Sequence, residues 1–125
     1  VTGSTHFSIE KTDSFQRSFK KLAKAQGQGF LELVAEALEE LIINPYPLKA
    51  REEPLPGRTK LPAEWTFHKL EIRVGKGASG QIRLMYLVNE SEGMIKPLWI
   101  YSHEQFAKRP PDKDLNTVIQ EALDG

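Results

Sequence analysis

The sequence predicts an α+β domain with the order β-α-α-β-β-β-α, and three patterns carry that prediction. Two runs, Lys69–Gly75 and Gln81–Val88, alternate apolar and polar residues as paired strands do. Two amphipathic helical stretches precede them, and a third apolar-periodic stretch closes the chain. Consecutive helices between a first strand and a three-stranded meander predict a helical hairpin packed on one face of a small, mainly antiparallel four-stranded sheet.

Each element has its own signal. His6 to Lys11 alternates and reads as the first strand. Asp13 offers an N-cap with Gln16 at the capping-box position, and Phe15, Phe19 and Leu22 follow at helical spacing. Gly27-Gln28-Gly29 breaks this helix. A second runs from about Phe30 to Ile43, and Asn44-Pro45 stops it because the residue before proline is pushed out of the helical region. Residues 45 to 62 hold five of the eight prolines and read as loop. Trp65 to Val74 is the next strand, and the glycine-rich segment from Gly75 to Gly80 is a long hairpin connection. Gln81 to Asn89 returns, Glu90 to Gly93 turns, and Met94 to Ser102 is the last strand. A helix carrying Leu115, Val118, Ile119 and Leu123 starts at Pro110-Pro111-Asp112. Residues 1–5 read as a flexible leader or cloning remnant, and residues 6–125 as one domain.

Composition narrows the function classes. A chain of 125 residues can bury a core without staples, and the absence of cysteine excludes disulfides and thiolate chemistry. No apolar run has the length to span a bilayer and no signal-peptide pattern opens the chain, so a cytoplasmic protein with no membrane partner is expected. Net charge is zero, but the charges are segregated. Six Lys/Arg fall between Arg58 and Tyr86 against Glu64 and Glu71, whereas Gly29 to Asn44 holds four glutamates and no base.

Strand parity sorts the middle of the chain into two faces. Leu70, Ile72 and Val74 share one face with Ile82, Leu84, Tyr86 and Val88; Lys69, Glu71, Arg73, Gln81 and Arg83 share the other. With Leu98 and Ile100 pointing to the core, Trp99, Tyr101 and His103 join the cationic face, which is expected to be open. Guanidiniums bind phosphate bidentately, imidazole titrates near neutrality and aromatic planes stack on unpaired bases, so this face suits single-stranded RNA. Arg and Glu on strands also pair across solvated sheets, which is the plain alternative for any one of them. His6, His68 and His103 lack metal-ligand spacing, so no metal site and no cofactor are expected. Gly75-x-Gly77-x-x-Gly80 joins two strands and opens no helix, so it is not a dinucleotide fingerprint.

The ordered set Phe15-x-x-x-Phe19-Lys20-Lys21-Leu22, Asn44-Pro45, Pro56-Gly57, Ile72-Arg73-Val74-Gly75, Ile82-Arg83-Leu84-Met85-Tyr86 and Leu98-Trp99-Ile100-Tyr101 resembles the RelE/ParE toxin superfamily over roughly residues 6 to 124. The resemblance implies a RelE-like toxin of a toxin–antitoxin pair: a metal-independent endoribonuclease that cuts mRNA on the ribosome and is neutralised by a cognate antitoxin. It implies catalytic roles for Arg73, Arg83, His103 and Glu71, and RNA contacts from Lys69, Lys76, Gln81, Trp99 and Tyr101. Glu104 stands where a RelE-like cation is expected, which gives the alternative of a non-catalytic RelE/ParE-fold binding protein, either a degenerate toxin or a gyrase-targeting one. The sequence leaves the oligomeric state open.

Overall fold

A computed structural model describes residues 6–124; the leader expected at residues 1–5 lies outside them. The elements are β1 (Ser8–Ile9), α1 (Asp13–Gln26), α2 (Gln28–Ile43), β2 (Ala50–Glu52), β3 (Trp65–Arg73), β4 (Gln81–Asn89), β5 (Met94–Ser102) and α3 (Asp112–Asp124). The sheet order is β1-β5-β4-β3-β2, with only the β1–β5 pair parallel. The expected order holds, with one strand added: β2 lies in the proline-rich segment and pairs with β3 from Ala50↔Leu70 to Glu52↔His68. Three residues are too few to show a period of two, so only the partner strand reveals them. No helix among the described residues is long and apolar enough to cross a membrane.

Local chemistry sets the helix ends. Thr12, one residue before the expected cap, accepts the Phe15 amide through its hydroxyl at 3.1 Å and starts α1. Gly27 alone separates α1 from α2, with φ of 92°, a conformation that a side chain would make costly. The hairpin then covers one sheet face with Phe15, Leu22, Phe30, Val34 and Leu41, against Leu70, Ile72, Ile82, Leu84, Tyr86, Val88, Ile95 and Ile100. Phe19 and Leu38 sit at the margin of this core, partly buried.

The other face is not open. Phe67, Met85, Leu87, Leu98 and Tyr101 form a second buried cluster with Leu115, Val118, Ile119 and Ala122 of α3. The helix and the turn before it cover most of the face that parity left to solvent. Leu98, expected in the hairpin core, belongs to this second layer. A bulge explains the change: Met85 pairs with Trp99 and Tyr86 with Pro97, so Leu98 is an extra residue and the parity of β5 reverses there.

His68 is buried on the hairpin side, its ring between Tyr46 (5.1 Å) and Tyr86 (5.5 Å), with Nε2 2.7 Å from the Thr66 hydroxyl. Burial lowers its pKa from the ordinary 6.5, and the Glu52 carboxylate opposes that only in part. The unfolded chain therefore binds this proton more readily than the folded one. His68 contributes stability above pH 6.5 that is lost as pH falls toward its lowered folded value. We expect the stability difference between the natural chain and His68→Phe to shrink on acidification through that window. Urea midpoints at stepped pH measure it, and a difference that does not change with pH contradicts the assignment.

Candidate functional site

The β3–β4 register runs without a shift, placing Glu71 opposite Arg83 and Arg73 opposite Gln81. Directly opposed residues point to the same side, so the two arginines share a face as parity predicts. Past Ser102 the chain stays in register for one more residue, with the His103 amide donating to the Gln81 carbonyl at 2.8 Å. That bond carries His103 to the same corner. Arg83 Nη1 lies 3.1 Å from His103 Nδ1, and Arg83 Nε lies 4.0 Å from Glu71 Oε1.

Guanidinium offers only donors, so Nδ1 is the acceptor of the Arg83 bond and the neutral ring carries its proton on Nε2. No protein partner holds Nε2 among the described residues. Arg83 is well covered, its side chain 16 % exposed, while Glu71 is mostly exposed. Arg73 is exposed at the end of β3 and donates to the Gly75 carbonyl at 3.1 Å. A shallow pocket of about 260 Å³ joins Glu71, Arg73, Gln81 and Arg83 with Lys49. Sequence reasoning missed Lys49. It lies just before β2, and its carbonyl accepts the Glu71 amide at 3.2 Å, so only the hidden strand brings it here.

The remaining expected residues divide. Lys76 is exposed in the glycine-rich loop beside the corner. Trp99 is half-buried, edge-on to Phe106 with ring centroids 6.0 Å apart. Tyr101 and Lys69, expected on an open RNA-binding face, are buried. The Tyr101 hydroxyl donates to the Lys108 carbonyl at 3.3 Å, and burial pushes its pKa up to about 12, so it holds its proton at physiological pH. Lys69 meets buried Glu53 at 3.4 Å, and Glu53 also takes Arg109 at 3.1 Å. Arg109 reaches on to Asp112 at 3.0 Å. The Gly57 amide and then Arg109 hold the Asp112 carboxyl below its ordinary range. These charges fasten the proline-rich segment to the start of α3. They are parts of the closure, not of the open corner.

No protein-family model matches the chain, and no curated protein matches it. Solved structures do. A metal-bound toxin from Helicobacter pylori superposes with a TM-score of 0.53 at 22% identity, over 80% of this chain and 98% of that one. The archaeal RelE–RelB complex from Pyrococcus horikoshii gives 0.51 at 18% identity, over 78% and 94%. A double arginine mutant of the E. coli toxin RelE in the free state gives 0.51 at 16% identity, over 90% and 95%. The chain has the RelE-like α+β fold. No group of three or more His, Asp or Glu among the described residues is placed to hold a metal ion.

The two sets of charges separate in a stability measurement. Glu53→Ala leaves buried Lys69 without its carboxylate and should cost about 3–5 kcal/mol. Arg73→Ala, at an exposed position, should stay within about 0.5 kcal/mol of the natural chain. Denaturant midpoints decide, and an Arg73→Ala loss equal to that of Glu53→Ala makes Arg73 a structural ion.

Proposed function

We propose that this protein is a RelE-like toxin, an endoribonuclease that cuts mRNA on the ribosome in the bacterial cytoplasm without a resident metal or cofactor. The observation that carries the reading is the joined set Arg83–His103–Glu71 at an otherwise open corner, with Arg73, Gln81, Lys49 and Lys76 around it. The RelE-like fold supports it, and the solved RelE–RelB complex supports a cognate antitoxin as the partner.

The corner's chemistry suits transesterification. The RNA 2′-hydroxyl attacks the adjacent phosphorus, the new O2′–P bond forms and the P–O5′ bond breaks. Glu71, mostly exposed and near the strand end, takes the hydroxyl proton. His103 Nε2–H donates a hydrogen bond to the departing 5′-oxygen, which takes its proton from water, and Arg83 fixes the ring in that tautomer through Nδ1. Arg83 and Arg73 neutralise the phosphate as charge accumulates on its oxygens.

A second reading, a non-catalytic RelE/ParE-fold binding protein such as a degenerate or gyrase-targeting toxin, is favoured by two observations. Exposed Glu104 puts negative charge beside His103, and burial removes Tyr101 from proton transfer.

Expression in a bacterium should arrest growth, and the purified protein should cut mRNA on ribosomes in the presence of chelator. Arg83→Ala should lower cleavage by about 3 kcal/mol in transition-state terms, on the order of a hundredfold. His103→Ala should reduce cleavage far more than RNA binding, because the Nε2–H bond to the departing oxygen strengthens only as charge develops there. Growth arrest with intact ribosome-bound mRNA points to the second reading, and normal growth with no cleavage contradicts the toxin assignment.

A further inference from the structure

Away from the Arg83 corner, α1, β5 and the turn before α3 enclose a cleft of about 220 Å³. One wall is aromatic, formed by Trp99 and Phe106 at a near-perpendicular 89°. Arg17 and Lys21 line the side opposite on α1, one helical turn apart. Ser14 and Ser18 also line it, but their hydroxyls are spent on the Leu98 carbonyl and the Phe15 carbonyl. Gln105 is different. Its Oε1 accepts the Ser102 amide at 3.0 Å, which leaves the side-chain NH₂ without a partner among the described residues. The cleft is smaller than the roughly 300 Å³ at which drug-sized pockets begin, so it suits a single ring.

The charged residues that line it, Arg17 and Lys21, are both cations. α1 carries Arg17, Lys20, Lys21 and Lys24 against the single acid Asp13, and none of the four cations makes an ion pair among the described residues. Unpaired cations beside an accessible indole are the elements of a single-strand nucleic-acid groove, where the cations track phosphate and the aromatic takes a base. A free amide NH₂ adds a donor for a base edge. The turn of residues 102–106 links the two places: His103 lies at the Arg83 corner, and Gln105 and Phe106 lie in the cleft.

We infer that the Arg17–Lys21–Trp99–Gln105 cleft is a nucleotide subsite that receives one unstacked base of single-stranded RNA, its phosphate held by the two α1 cations. It rests on the RNA-binding reading above and extends the RNA path from the Arg83 corner around the turn to α1. An RNA strand is favoured over a free nucleotide because unpaired charge continues along α1 beyond the reach of one phosphate.

Trp65→Phe leaves Trp99 as the sole indole, since the chain has two tryptophans. In that background oligouridylate should quench Trp99 fluorescence saturably. Arg17→Gln with Lys21→Gln, both at exposed positions, should weaken the binding about tenfold at low salt. Glu39→Gln, at an exposed position of α2 outside both the cleft and the corner, should keep the quenching. An abasic oligomer of equal length that quenches as well, uridine monophosphate that binds as tightly, or no quenching at all overturns the subsite. Cleavage absent with quenching intact defeats the ribonuclease reading and leaves the subsite standing. Cleavage intact with Trp99 silent defeats the subsite alone.

Discussion

The outer edge of β5 is the constraint on which the rest depends. β1 pairs with it for only two residues, which leaves a long row of backbone groups needing partners. Helix α1 supplies them from side chains. The Thr12 hydroxyl donates to the Pro97 carbonyl at 2.7 Å, the Ser14 hydroxyl donates to the Leu98 carbonyl at 2.7 Å, and the Ile100 amide donates to the Ser18 hydroxyl at 3.0 Å. Thr12 is also the α1 cap, so one residue starts the helix and seals the strand. The bulge at Leu98 lies within this sealed stretch. It turns Leu98 to the α3 side, gives α3 an apolar seat and leaves Trp99 at the lip of a cleft.

Closing both sheet faces decides where a site can be. A sheet covered by helices on two sides offers polar side chains only at its ends. The glycine-rich end, where β3, β4 and the extension of β5 meet, gathers Arg73, Arg83, Glu71 and His103. Net charge is zero over the whole chain, and α2 brings Glu36 and Glu40 to a groove that also holds Lys49, Glu71 and Arg73, so acids border the corner.

The central meander was legible because its strands are long: β4 and β5 begin and end at the expected residues, and the shared face of Glu71 and Arg83 follows from alternation alone. The errors share a cause. Tyr101 and Lys69 read as open-face residues because the period of two tells which face a residue takes, not what covers that face. The apolar stripe of α3 was visible, yet its destination depended on Leu98, and a one-residue bulge leaves no mark in composition. Lys69 is buried 3.4 Å from Glu53, sixteen positions earlier in a proline-rich loop that a three-residue strand brings alongside. Long-range pairings of that kind have no local signature.

The central claim is that the uncovered corner of the second sheet face is the RNA-binding surface. The most direct measurement is the change in backbone amide NMR shifts when single-stranded RNA with 2′-O-methyl groups, which cannot attack the adjacent phosphate, is added to the natural chain. The account predicts shifts concentrated at Glu71, Arg73, Gln81 and His103, spreading through residues 102–106 toward α1, with Glu39 of α2 silent. Shifts centred on α2, with the corner unmoved, would contradict it.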